Sequence, residues 1–206
     1  PAAGPTIPTS PASFMSTPLK IRGSSFGMIA TSYPFFGSFD GGGHNVASLS
    51  IVSSGGSAGM FVSVFGADDH KASIAHLTLV DPTITVTDGS RVGALVGEAY
   101  SLNVTDCHVR STHDGGATIR VDGANTSDVG GLAGRLNQVI LSNSSAAIDV
   151  VVEAATSDSV GGLVGDNFAA SIERSYATGV VRASANSSQV GGLVGSCMGR
   201  ALLQDL

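Results

Sequence analysis

The chain of 206 residues contains no tryptophan, and only 5% of its residues are aromatic and 13% charged. A core built from large aromatic plates is excluded, so packing must come from small and β-branched side chains. Ten Lys and Arg face 16 Asp and Glu, and no basic run occurs. With a net charge of −6, nucleic-acid binding through phosphate neutralisation is excluded. No apolar run approaches the roughly 18 residues of a membrane-spanning helix. No apolar stripe at helical spacing extends beyond two turns, so no helix is expected. The chain opens on Pro1 without a signal-peptide pattern. That start reads as an internal or processed terminus.

What is present is glycine, 28 residues of it, in a recurring hexapeptide. The motif is VGALVG at 92–97, VGGLAG at 129–134, VGGLVG at 160–165 and VGGLVG at 190–195. The spacings are 37, 31 and 30 residues. A period in the range of about 20–50 residues marks a solenoid, propeller or array. Short alternating runs such as ASLSIV, IAHLTLV and TITVT have the period of β-strands and are bounded by Gly, Asp, Asn and Ser. Within the unit from Val160 to Gln189, VGGLVG reads as one strand, SIERSYA as a second and TGVVRASA as a third. Three strands per coil of about 30 residues describe a parallel β-helix, with equivalent residues stacked at roughly 4.8 Å.

The expected ladders are Val92, Val129, Val160 and Val190, and Leu95, Leu132, Leu163 and Leu193. Glycines open the motif at Gly93, Gly130, Gly161 and Gly191 and close it at Gly97, Gly134, Gly165 and Gly195. A recurrent glycine implies either a positive φ or a close backbone approach, and a corner satisfies both. Ala94 departs from the second glycine column, which implies that this column tolerates a methyl group. Residues 1–20 hold five of the seven prolines and are expected to form an extended arm or linker. The solenoid is expected over residues 21–206.

The hexapeptides resemble the GLUG motif, a tandem repeat of secreted and surface proteins that include bacterial adhesins. The segment SYPFFGSFDGGGHNVASLSI at 32–51 resembles the stretch that precedes such repeats, with Val46 in place of the usual Ile. Gly59, Met60 and Phe61 resemble a degenerate first motif, and SYATGVV at 175–181 resembles the tail of the unit. The resemblance implies an all-β, right-handed parallel β-helix outside the cell and carries no catalytic residues with it. Counting from Phe35 gives about six coils. Only eleven residues follow Gly195, and no cap is visible among them. Solenoid ends need covering, so either the chain continues or another subunit covers this end.

Asn103, Asn125, Asn143 and Asn186 each open an N-glycosylation sequon. Asn125 and Asn186 precede their hexapeptides by four residues and are expected at one exposed corner. In a chain that is never glycosylated the same residues are turn formers. Thr6, Thr9 and Ser10 in the arm suit O-glycosylation. Cys107 and Cys197 fall in different coils and are not expected to pair. Free thiols, or an interchain disulfide at Cys197, remain the readings.

No metal or cofactor is expected. Asp68, Asp69, His70 and His76, like Cys107, His108 and His113, have ligand chemistry without ligand spacing. Asp40, Asp88 and Asp122 before glycines read as turn residues. The chain is not expected to be an enzyme, because Asp149, Glu153, Asp158, Asp166, Glu173 and Arg174 do not recur in register. Thr83, Thr85 and Thr87 form one rung of an ice-binding type that no later coil repeats.

These observations point to an extracellular structural or adhesive repeat protein, a glycosylated subunit of a filament or coat that assembles end to end. Its partners would be further copies, covalent glycans and other surface or matrix proteins. The alternative is a carbohydrate- or host-surface-binding adhesin module of a longer secreted protein, which a concave patch of aromatic and polar residues would favour.

Overall fold

The computed structural model describes residues 28, 29, 32–67 and 69–206. The arm expected over residues 1–20 lies outside them. The described residues form 23 β-strands and no helix. Every strand pairing is parallel, and pairs join equivalent strands of successive coils. The architecture is therefore a β-solenoid.

Each coil has four faces. Face one holds Ser38–Ala47, Ala72–Val80, Leu102–Arg110, Ile140–Ser142, Ser171–Glu173 and Leu202–Gln204. Face two holds Ser50–Ser53, Thr83–Thr87, Thr118–Asp122, Asp149–Val152 and Val181–Arg182. Face three holds Gly56–Ala58, Gly89–Val92, Asn125–Gly130, Thr156–Gly161 and Ser187–Gly191. Face four holds Phe61–Phe65, Val96–Tyr100, Ala133–Asn137, Val164–Phe168 and Val194–Met198. Faces two, three and four have five strands each; the face-one sheet has eight, six rungs plus the short strands Ser145–Ala146 and Tyr176–Ala177, and the stack makes about five turns where six were expected.

The expected three strands per coil become four because the hexapeptide is a corner and not a strand. In VGGLVG at 160–165, the first two residues end a face-three strand and the last two open a face-four strand. The Gly-Leu pair between them bends, yet its backbone stays in the ladder. Leu132 N–H donates to Leu163 O at 2.8 Å, and Leu163 N–H donates to Leu193 O at 2.8 Å. Corner carbonyls and amides thus find partners in the next coil, as buried backbone must.

Within the strands, alternation decides the faces. In Thr83–Thr87 the threonines point out while Ile84 and Val86 are buried. Ile84 stacks between Ile51 and Ile119, and Val150 continues the column. Val92, Val129 and Val160 are fully buried and stack in register, with Val190 beyond them. Leu95, Leu132 and Leu163 are buried at the corner, and Leu193 is half-buried. The core is a continuous file of such columns.

The motif-closing glycines answer to close approach. None of the hexapeptide glycines has a positive φ. A Cβ on Gly165 would lie 2.6 Å from both Gly134 O and Val129 N, and one on Gly134 would lie 2.6 Å from Gly97 O. Tolerance of a methyl group, inferred from Ala94, does not extend along its column. A Cβ on Gly131 or Gly162 would collide with the carbonyl oxygen of Gly162 or Gly192 one coil on.

Positive φ falls on glycines outside the hexapeptides, such as Gly42 and Gly123, and on non-glycine residues in columns. His76, Asp106, Asn143, Arg174 and Asp205 bend face one, and Ser101, Gln138 and Ala169 turn the chain from face four to face one. The long 37-residue spacing also has a place: the extra residues lie between Arg110 and Ala117, at the turn from face one to face two. Asp81 ties this loop down. Its Oδ1 accepts from Thr112 N–H at 2.7 Å and its Oδ2 from Thr112 Oγ1 at 2.5 Å. These bonds, the side-chain one first, lower the Asp81 pKa.

Candidate functional site

The hexapeptide corner folds faces three and four toward each other on the outside of the solenoid. Residues flanking the motif therefore meet across a groove. The residue before each hexapeptide forms one column, Arg91, Asp128, Ser159 and Gln189, in register. The residue after each hexapeptide forms the facing column, Glu98, Arg135, Asp166 and Ser196, continued by Ser63 at the first coil.

Charge alternates along and across this groove. Arg91 Nη1 lies 3.2 Å from Glu98 Oε2, seven residues further along the chain around the corner. Arg91 Nε is 4.0 Å from Asp128 Oδ2 in the next coil. Arg135 Nε is 3.2 Å from Asp166 Oδ2, again one coil on. Asp166 is the most deeply buried of these groups, its side chain only 5% exposed. Burial pushes the Asp128 carboxyl up to about 6; Asp166 and Asp158 push the same way, against Arg135 and Arg91. A cavity of about 400 Å³ runs here, lined by Arg91, Asp128, Arg135, Asp158, Asp166 and Gln189 among others.

Two residues further along face four, on the same outward side, lies the column Phe65, Tyr100, Asn137, Phe168 and Met198. Phe65 packs edge-on against Phe36 on one side and Tyr100 on the other, both at 6.5 Å between ring centroids. Phe168 and Met198 are exposed. A polar groove thus has an aromatic and thioether rim.

The groove was not among the expected sites. Its columns alternate in sign, so no acidic residue type recurs in register along them. The usable signal was the pair of positions flanking each hexapeptide: Arg and Glu, then Asp and Arg, then Ser and Asp, then Gln and Ser. Asp166, taken alone as out of register, stands in register with Arg135.

The sequon residues do not converge on the groove. Asn125 is exposed, pairs in register with Thr156, and accepts a hydrogen bond from Thr156 Oγ1 at 2.8 Å. Asn186 is exposed and immediately precedes Ser187, which pairs with Ser157; its Nδ2 donates to Ala155 O at 3.1 Å. These two therefore share one corner, two coils apart. Asn143 is exposed at the face-one bend and accepts from Arg174 Nε at 2.8 Å. Asn103 is half-buried within a face-one strand.

Cys107 is buried, and burial pushes its thiol up to about 12. Cys197 is exposed on the last face-four strand, in register with the buried Asn167. Both thiols are free. His70 pairs with Asp69 at 3.0 Å and His76 with Asp40 at 2.9 Å, each pair in solvent; Asp68 lies outside the described residues. His108 contacts Asp106 and Ser145 on the outside of face one, away from the inward Cys107. Asp40 Oδ1 caps Gly42 N–H at 2.8 Å, Asp88 Oδ1 accepts from Ala124 N–H at 2.6 Å, and Asp122 Oδ1 from Thr87 Oγ1 at 2.7 Å. These aspartates act as turn clamps. No helix among the described residues is long and apolar enough to cross a membrane.

Residues 156–182 match the family model of the GLUG motif. That stretch is one whole coil, from the face-three strand Thr156–Gly161 to the face-two strand Val181–Arg182. No curated protein and no solved structure matches the chain.

Proposed function

We propose that this chain, a GLUG-motif repeat protein of extracellular type, is a structural module that works through its shape. Its residues serve a stiff stack, and the positions that change from coil to coil lie on the outer columns and at turns other than the hexapeptide corner. The observation that carries the reading is the continuity of the core: inward columns run unbroken from coil to coil, with corner amides bonded to the next corner. Such a stack transmits position along its axis, and it gains stability with each neighbour.

The finer reading is end-on assembly with further copies. Val190 is 52% exposed where Val160, one coil earlier in its column, is 0% exposed. Leu203 is likewise exposed, whereas its partner Ile172 is buried. A further rung on this edge, from this polypeptide or from another copy, would bury both and pair the open backbone groups. Glycans on the corner shared by Asn125 and Asn186 would hold neighbouring stacks apart side to side while leaving the axis free. No catalytic role is proposed.

Electron microscopy of the protein purified from its native source tests this. Filaments built from the whole chain as subunit support end-on assembly. Dispersed particles, or a rod formed within one longer polypeptide, would refute it and favour an adhesin module.

A further inference from the structure

Five buried side-chain polar atoms among the described residues have no hydrogen-bond partner. Four of them lie on the outer columns of faces three and four: Arg91 Nε, Asn137 Oδ1, Asp166 Oδ1 and Ser196 Oγ. Asp166 and Ser196 are in register with each other and nine-tenths or more buried. Buried polar groups are nearly always bonded, so unbonded ones on Arg91 and Asp166, which line the cavity, with Ser196 and Asn137 in the adjoining columns, call for a partner.

The chemistry of the four narrows that partner. Arg91 Nε is a donor, Asn137 Oδ1 and Asp166 Oδ1 are acceptors, and the Ser196 hydroxyl is both. An ammonium or guanidinium group would satisfy the acceptors and leave the arginine unmet. A metal ion is disfavoured, because no group of three His, Cys, Asp or Glu among the described residues is placed to hold one. Hydroxyl groups donate and accept and so answer all four.

Shape and rim agree. The cavity reaches from Arg91 to Gln189, three coil intervals or roughly 14 Å along the axis. It is an elongated groove suited to a few linked sugar rings. Met198 lines the cavity, and Phe168 stands exposed and in register beside Met198, with the Phe65–Tyr100 edge pair further along the same column. Apolar ring faces rest on such side chains while their edges form hydrogen bonds. Four carboxylates, Glu98, Asp128, Asp158 and Asp166, face two arginines, Arg91 and Arg135. That excess of negative charge repels anionic chains.

We propose that the groove between faces three and four binds a linear glycan, neutral or amino-bearing, laid along the solenoid axis. Its hydroxyls meet Asp166 and Arg91, which line the cavity, and its ring faces lie against Met198 and the neighbouring Phe168. The site is independent of end-on assembly, since the groove lies along the side of the stack.

The test is an array of linear oligosaccharides of neutral, amino-bearing and uronate-bearing types, followed by calorimetric titration of the full chain. Saturable binding of neutral or amino-bearing chains is expected, and none of uronate-bearing chains. Phe168→Ala, an exposed position, should weaken binding about three- to tenfold, the effect of one lost ring contact. Asp158→Lys, also exposed, should relax the rejection of uronates. Circular dichroism establishes that both variants fold. Absence of saturable binding by every chain type overturns the proposal, as does binding that both folded variants leave unchanged. The unbonded atoms would then be met by water alone.

Discussion

Replacing Gly165 by alanine tests whether backbone approach at the corner, and not backbone flexibility, is what fixes glycine there. A Cβ at Gly165 would sit 2.6 Å from Gly134 O and Val129 N, and 2.9 Å from Asp128 C. Ordinary contact begins near 3.4 Å, so two backbone segments of the preceding coil must retreat by about 0.8 Å. Both belong to parallel ladders and cannot move singly. Overpacking of this kind costs about 1–3 kcal/mol, and the stiffer unfolded chain returns about 0.4–1 kcal/mol. A net loss of about 1.3 kcal/mol lowers the Tm by about 3–5 °C in a domain of this size. Gly192→Ala supplies the control: it belongs to a hexapeptide, lacks a positive φ and would place its Cβ with nothing within 4 Å. In dispersed protein it should leave the Tm unchanged or raise it by about 1–4 °C. Thermal unfolding followed by circular dichroism reads both variants. Equal Tm values for the two would refute the argument from close approach.

Three further outcomes follow from the outer columns and the cysteines. Because the folded pKa of Asp128 is raised, to about 6, the folded state holds a proton that the unfolded state releases at lower pH. Stability should therefore fall as pH rises from about 4 to about 6, by on the order of 1–3 kcal/mol, and level off above; urea unfolding of Asp128→Asn should lack this slope. Iodoacetamide should label Cys197 in the native protein and spare Cys107 until the chain is unfolded, a difference that peptide mass mapping resolves. Asp81→Ala should leave the stack intact while exposing the loop between Arg110 and Ala117 to limited proteolysis, since the Thr112 N–H and hydroxyl lose their acceptor.

The stack itself was legible because its signal is repetition. Val92, Val129, Val160 and Val190 are spaced by the coil, and nothing but stacked coils brings them into one column. The number of faces was less legible. A Gly-Leu pair flanked by valines has the composition of a buried strand, and the bend that divides it arises from contact with the neighbouring coil. The turn residues were hidden for a related reason. Positive φ at Ala169, Arg174 and Gln138 is imposed by a column of like conformations above and below, so no residue type announces it. The groove was hidden because ion pairing between coils rewards opposite charge, so its columns run Arg–Asp and Glu–Arg–Asp and repeat no residue type. Its closeness, seven residues around one corner, becomes apparent only once the hexapeptide is known to bend.

The loop between Arg110 and Ala117 separates two quantities that most folds tie together, the length of the chain and the order of its rungs. Thr118 to Asp122 pair with the preceding and following coils as though the extra residues were absent. Closing a longer loop at this point costs only about 0.6 kcal/mol for each doubling of length. This corner is therefore a place where foreign peptide should be accepted without disturbing the ladder, because the loop's length and the scaffold's register are set independently.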